Sequence, residues 1–196
     1  MIWKTLALVV LLAAVTAVGA LVVGPSLRIE PPAALHEGGI GPLIVDRDFR
    51  TAVRQAFRSA PESAFSGTGC AGLDEIRYDS QVDSWPVSIM AMADNGRIRE
   101  VEATLYSPTQ AENRQACLSL RNDFASAFIE RFGPFVQTWE VSKPVSQELM
   151  ARTGPVVVAA RWFAMGGSCY ISAHYGVLEG GSVRLGASLA AVDSDV

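Results

Sequence analysis

Two imidazoles, His36 and His174, are the candidate general bases and metal ligands of the sequence. His36 lies in a Pro- and Gly-rich stretch, where a solvated side chain is the simplest interpretation. His174 alternates with Tyr170 and Ser172, which places it on the polar side of a strand. A general base would also need a carboxylate within hydrogen-bonding reach, and the sequence identifies none. An enzyme centred on His174, Tyr170 and Arg161 is therefore the least favoured functional hypothesis.

Paired acidic residues could support acid–base chemistry or bind a metal, and the sequence contains Asp74–Glu75 and Glu100–Glu102. Solvated surface charge accounts for both pairs, although Glu100 and Glu102 share one strand face. No Gly-rich loop lies between a parallel strand and a helix, and the serine-hydrolase elbow is absent. We therefore predict no catalytic residue, no metal site and no cofactor.

Four arginines follow one side of the first predicted helix. Their spacing of 3, 4 and 4 places them opposite the apolar side of that helix: Arg47, Arg50, Arg54 and Arg58. A solvated outer surface is the default interpretation. The functional interpretation is contact with anionic lipid headgroups or an acidic partner, because only a short tether separates this helix from a membrane-directed segment.

The three cysteines, Cys70, Cys117 and Cys169, match no close metal-ligand spacing. In an exported domain, one disulfide and one free thiol would account for them. Three pairings are open. Cys70–Cys117 is preferred, because Cys70 lies in a Gly-flanked loop that can adapt to the bond geometry and Cys117 begins the apolar stripe of a helix.

Residues 5–24 form one uncharged, mostly apolar segment. As a helix it would span roughly 30 Å, the thickness of a bilayer core. Trp3 precedes it, where an interfacial aromatic is expected, and the positive charges of Lys4 and the terminal amine favour a cytoplasmic N-terminus. A cleaved signal peptide is the alternative, with residues 17–19 as a small-x-small site, although the apolar residues continue beyond that site. We predict a single-pass protein of a bacterial inner membrane with a periplasmic domain, or a secreted domain if cleavage occurs.

The chain therefore divides into an anchor (1–24), a Pro/Gly tether (25–45) and one domain (46–196). The domain is long enough for a single core. A net charge of –4 gives no electrostatic case for nucleic acid. The predicted partners are membrane lipid, through residues 5–24, and a membrane protein of unknown identity.

Hydrophobic periodicity predicts two long helices, at about 47–60 with Asp46 as N-cap and at about 109–132. A short helical turn is expected at about 145–152. Hairpin turns are expected at Asn95-Gly96 and Gly180-Gly181. The predicted strands are 73–79, 87–93, 97–106, 155–165, 169–178 and 182–192.

This order predicts an α+β fold: one two-layer domain with an antiparallel sheet of about six strands and both helices on one face. The order of elements is that of an αβββ unit used twice. Val156–Ala160 lacks alternation, which predicts a strand covered on both faces. The cover is either the chain's own residues 135–152 or a partner protein. In the second case Met90, Met92 and Trp162 form a docking face.

The favoured function is a membrane-anchored, non-enzymatic accessory or interaction subunit of a membrane-associated assembly. The first alternative is a small-ligand binding or sensing module with a pocket between the helices and the sheet. The enzyme using His174 comes third.

Overall fold

The computed structural model describes residues 32–69, 72–105 and 109–176. The predicted anchor, Cys70 and the predicted strand 182–192 lie outside those ranges. Within them, neither helix has the length and apolar composition needed to span a bilayer.

The described chain begins with a small antiparallel sheet of three two-residue strands: β1 (Leu35–His36), β2 (Gly39–Ile40) and β3 (Leu43–Ile44). Ile40 and Leu43 are fully buried in the main core. Gly39 is required by the tight pairing, because a Cβ there would lie 1.9 Å from the Leu43 carbonyl oxygen. The prediction that the tether extends to residue 45 is therefore wrong, since its described part, from residue 32 onward, belongs to the domain.

Both predicted long helices are present. Helix α1 spans Phe49–Ser59, and its N-cap is Asp48 rather than Asp46, because the Asp48 carboxylate accepts the Thr51 backbone N–H at 2.8 Å. Helix α2 spans Arg114–Phe132 and is capped by Asn113, whose side chain accepts the Ala116 N–H. It begins later than predicted, because residues 109–110 form a short strand instead.

A nine-stranded antiparallel sheet makes up the rest of the domain, in place of the predicted six strands. Its spatial order is β4-β5-β6-β7-β12-β11-β10-β9, and β8 pairs with the start of β12. The strands are β4 (Phe65–Thr68), β5 (Asp74–Val82), β6 (Trp85–Asp94), β7 (Arg97–Leu105), β8 (Thr109–Gln110), β9 (Gln137–Ser142), β10 (Ser146–Thr153), β11 (Val156–Phe163) and β12 (Ser168–Gly176).

Each half of the domain is one helix followed by four strands of this sheet. The first half is α1 with β4–β7, the second is α2 with β9–β12, and the halves meet where β7 pairs with β12. The repeated order is therefore αββββ rather than αβββ. Residues 145–152, predicted to form a helical turn, lie mostly in β10, which pairs with β9 on one side and β11 on the other.

The two faces of the sheet are covered differently. The inner face packs against both helices and forms the main core, in which Phe124 and Phe128 of α2 and Ile89 of β6 are completely buried. The open face has no helix across it in the described chain. Its small apolar cluster consists of Met150, Val157 and Ala159, with Trp139 and Val141 at the margin.

Val156–Ala160 is buried on both faces, as its sequence predicts. The predicted cover by residues 135–152 is wrong, because most of these residues extend the sheet sideways as β9 and β10. Strand β12 is paired with β7 and β11.

The disulfide joins Cys117 to Cys169, with their Cα atoms 5.6 Å apart, so the predicted Cys70–Cys117 pairing is wrong. The reason is the pairing of β8 with β12, in which Thr109 lies opposite Cys169. This pairing brings the chain entering α2 beside β12, and Cys117 is in the first turn of that helix.

Candidate functional site

The open face carries a group of polar side chains at the junction of the two halves. The register aligns His174 of β12 with Glu102 of β7, and Gly176 with Glu100. Ser172 lies two residues before His174 on the same face. We call Glu100, Glu102, Ser172 and His174 the His174 cluster. The sequence correctly predicts that His174 lies on the polar side, but the prediction of solvated charge fails for Glu102, which is buried.

The two nitrogens of the His174 imidazole face different groups. Nε2 lies 2.7 Å from the Ser172 hydroxyl oxygen and 3.9 Å from a Glu102 carboxylate oxygen. Nδ1 lies 3.6 Å from a Glu100 oxygen and makes no hydrogen bond in the described part of the protein. Because the two carboxylates lie against different nitrogens of the ring, they do not share one imidazole nitrogen as a common ion site. No metal-binding group of three His, Cys, Asp or Glu residues occurs in the described ranges.

The contacts from Ser172 to His174 and from His174 to Glu100 resemble those of a nucleophile, a base and an orienting carboxylate. His174 is only 4% exposed and Ser172 only 5%. The cavity beside Ser172, lined also by Glu102 and Tyr170, has a volume of about 20 Å³. That is room for about one water molecule, so the arrangement has no space for a substrate.

A second polar group on the open face surrounds Glu148 of β10. The Arg161 guanidinium donates to the Glu148 carboxylate from Nε at 3.0 Å and from Nη2 at 2.6 Å, and Lys143 Nζ lies 2.9 Å from the same oxygen. Glu148 and Arg161 are cross-strand neighbours in the β10–β11 register. The third functional hypothesis places Arg161 in an enzyme centred on His174. In the structure Arg161 is instead bound to Glu148, which is not part of the His174 cluster.

A groove of about 590 Å³ lies between the small sheet, β5 and the end of α1. We call it the α1 groove. The described chain enters beside it, at Pro32 and Ala33, and the polar groups at its margin include His36 and Arg58. It does not lie between the helices and the sheet, where the ligand-binding hypothesis places its pocket.

The four predicted arginines lie together on the outer side of α1 and its N-terminal flank. All four are exposed: Arg47, Arg50, Arg54 and Arg58. The opposite side of α1 is buried through Phe49, Ala52 and Ala56. We call the four arginines the arginine face. Hydrogen bonds from Thr51 lower the pKa of the Asp48 carboxyl, and the positive charges of Arg97 and Arg54 lower it further.

The structure does not bring the three residues of the predicted docking face together. Met90 is half-buried on the open face and Met92 is buried there. Trp162 pairs with Cys169 and packs against the main core on the inner face, so the prediction that it shares a face with the two methionines is wrong.

Sequence reasoning missed the buried polar groups of the open face. Glu148 lay in a segment predicted to be helical, and the contact between His174 and Glu102 depends on the β7–β12 register. The alternation of Glu100, Glu102 and Thr104 was the one available signal, because it matches that of Tyr170, Ser172 and His174.

Comparison with known proteins gives no relative from which a role could be inferred. The chain matches no protein-family model, no curated protein and no solved structure.

Proposed function

We propose that this protein is a membrane-anchored, non-enzymatic interaction subunit of a membrane-associated assembly, with its domain outside the cytoplasm. The apolar segment 5–24 supplies the anchor. The Cys117–Cys169 disulfide supports the location, because disulfides persist in oxidising compartments such as the periplasm.

The observation that carries the interaction role is the edge of the large sheet at β9. Within the described chain this strand pairs with β10 alone. Edges are usually protected by short strands, Pro or Lys, and β9 is six residues long and contains neither residue. The opposite edge, β4, has only four residues. We infer that an extended segment of the partner adds to the sheet beside β9.

The surroundings of β9 fit this mode of binding. Val136 and Val145 flank the strand and are 72% and 52% exposed. Trp139 and Val141 are half-buried on the open face. The charge of Glu140 is already compensated by an ion pair with Arg114. An incoming strand would therefore meet apolar side chains at both ends and no uncompensated charge along β9.

A proline substitution tests the edge directly. The Lys143 N–H donates to the Ser146 carbonyl across the β9–β10 turn, so by alternation the Thr138 N–H points away from β10. Thr138→Pro removes this outward N–H, whereas Thr138→Ala keeps it and serves as the matched control. Both full-length variants are expressed in native membranes, cross-linked and purified.

We expect the wild-type chain and Thr138→Ala to recover the same cross-linked partner and Thr138→Pro to lose it, with all three melting within a few degrees of one another. Recovery of the partner by Thr138→Pro, or a wild-type chain that cross-links to nothing, would contradict the proposal.

Carbonate extraction tests the anchor separately. The full-length chain should remain in the membrane pellet, and protease added outside the cytoplasmic membrane should digest the domain. A soluble mature chain that starts shortly after residues 17–19 would instead identify a cleaved signal peptide.

The α1 groove favours small-ligand binding as a second candidate function. Its volume of about 590 Å³ lies in the range of ligand pockets, and His36 and Arg58 could bind an anionic group. Native mass spectrometry of the purified chain would then show a co-purified small molecule. Arg58→Ala should reduce its occupancy, and Arg77→Ala, on the open face, should leave it unchanged.

A further inference from the structure

We propose that the arginine face binds the anionic phospholipid headgroups of the membrane in which the chain is anchored. The inference rests on the proposed anchor and adds a second, electrostatic contact between the domain and the bilayer. It assigns to α1 a role separate from the partner-binding edge at β9.

The first argument is that these arginines have no carboxylate at ion-pair distance within the described chain. No ion pair joins Arg47, Arg50, Arg54 or Arg58 to any other described residue. The side-chain hydrogen bonds of Arg47 and Arg54 within the described chain go to the neutral side chains of Gln55 and Thr51. Several other arginines do have carboxylate partners: Arg99 with Asp46, Arg114 with Glu140 and Arg161 with Glu148.

The second argument is the shape of this surface. Arg50, Arg54 and Arg58 follow one another at intervals of four residues along α1, which places them on one side of the helix over about 12 Å. Phe57 lies at the margin of the same side and is 41% exposed. A cationic row beside an exposed aromatic ring is typical of helices that lie on membrane surfaces.

The third argument is the position of α1 relative to the anchor. Arg58 and Ser59 line the same groove as Pro32, the first described residue. Seven residues, 25–31, separate Pro32 from the predicted anchor. A fully extended connection of that length reaches at most about 28 Å. The C-terminal end of α1 is therefore held close to the membrane, on the side where the chain enters the domain.

Lipid headgroups fit these observations better than an acidic protein. Guanidinium groups bind phosphate oxygens in bidentate geometry, and a membrane presents phosphates within reach of the whole row. The exposed ring of Phe57 suits the boundary between headgroups and acyl chains, where helices on membrane surfaces bury Trp, Phe and Leu side chains.

Arginine labelling of the wild-type chain tests the inference without any variant. The full chain is incorporated into two kinds of nanodiscs, one of phosphatidylcholine and one with added phosphatidylglycerol, and is treated with phenylglyoxal. Peptide mass spectrometry then gives the modification rate of each arginine. Arg77 and Arg152, on the open face of the sheet, are the internal controls.

We expect phosphatidylglycerol to slow modification of Arg50, Arg54 and Arg58 by about threefold or more, with little change at Arg77 and Arg152, because each arginine near an anionic surface gains a favourable interaction. Added salt of about 0.5 M should remove the protection, since it shortens the range of electrostatic attraction.

Equal rates in the two kinds of nanodisc would overturn the inference and leave the anchor intact. Protection in native membranes but not with phosphatidylglycerol would also overturn it and would identify an acidic protein partner instead. A chain that fails to enter nanodiscs would refute the proposed anchor, and this inference with it.

Discussion

The two halves of the domain share one order of elements, but they hold their helices in different ways. Helix α1 has 11 residues and is attached to the first half by packing and by a hydrogen bond from the Phe49 backbone N–H to the Gly96 carbonyl. Helix α2 has 19 residues and is joined to β12 by the Cys117–Cys169 disulfide as well. The same topology is therefore stabilised mainly by apolar burial in one half and by burial plus a covalent bond in the other.

This difference separates the roles of the two helices: α2 mainly stabilises the core, and α1 presents a charged surface. The buried side of α2, which includes Phe124 and Phe128, packs in the main core. The shorter α1 buries three residues, and the arginines on its outer side make no ion pair in the described chain. In our proposals the first half meets the membrane through α1, and the second half meets the partner through β9.

Among the changes that test this comparison, removal of the disulfide should have the largest effect on stability. The Cys117→Ala/Cys169→Ala variant should lose about 4 kcal/mol of unfolding free energy, because the cross-link closes a loop of 52 residues in the unfolded chain. Chemical denaturation measures the loss. Hydrogen exchange in native conditions should show the backbone of α2 opening more readily than that of α1.

A control variant, Cys70→Ala, keeps the Cys117–Cys169 bond and should exchange hydrogen like the wild type in both helices. Equal loss of protection in α1 and α2 on removing the disulfide would mean that the two halves unfold as one unit. The proposed difference in attachment would then be wrong.

The sequence predicts the helices well because their apolar residues recur at helical spacing. It fails at β10, where Gln147, Glu148, Leu149 and Met150 are all good helix formers. Pairing with β9 and β11 overrides this preference, because it satisfies the backbone of β10 on both sides. The small sheet was missed because its strands have only two residues each and lie among Pro and Gly.

The candidate site was predictable only where it depends on one element. The arginine face follows from the spacing within α1, and the structure places all four arginines on its exposed side. The His174 cluster and the Cys117–Cys169 bond depend on which strands are neighbours, and β12 pairs with strands that are distant in the sequence. Local periodicity contains no information about that choice.

A buried ion pair sharpens the contrast on the open face. The second half contains Glu148 bound to Arg161, both largely buried. On β5 and β6 of the first half, Arg77 instead donates an exposed hydrogen bond to the neutral Ser88. Glu148→Gln should cost about 2 kcal/mol, because it leaves the Arg161 charge without its carboxylate, and Arg77→Ala should cost less than about 0.5 kcal/mol. Urea denaturation compares the two variants.

The double variant Glu148→Met/Arg161→Met is the control for this prediction. It removes both charges together and should recover most of the stability, since apolar side chains can replace a buried pair at little cost. A double variant less stable than Glu148→Gln would show that the pair stabilises the fold through its hydrogen bonds.

The smallest expected effect lies at the junction of the halves, where Tyr175 of β12 is opposite Val101 of β7. The Tyr175 hydroxyl is buried and has no hydrogen-bond partner in the described chain. Tyr175→Phe should therefore raise the unfolding free energy by about 1 kcal/mol at neutral pH, because it removes an unsatisfied polar group. Tyr170→Phe, at a half-buried position on the open face, is the matched control and should change stability by less than about 0.5 kcal/mol.

The pH dependence gives this last prediction a second readout. Burial raises the pKa of Tyr175 well above its ordinary value, so the folded protein keeps the proton where the unfolded chain releases it. The stability associated with neutral Tyr175 is fully present below about pH 10, the pKa of an unfolded tyrosine, and is lost as the pH rises further. Above pH 10 the unfolding free energy of Tyr175→Phe should thus fall less steeply than that of the wild type. Identical slopes, or a destabilised variant at neutral pH, would mean that the hydroxyl has a partner at the junction and that the two halves are joined there by a polar contact.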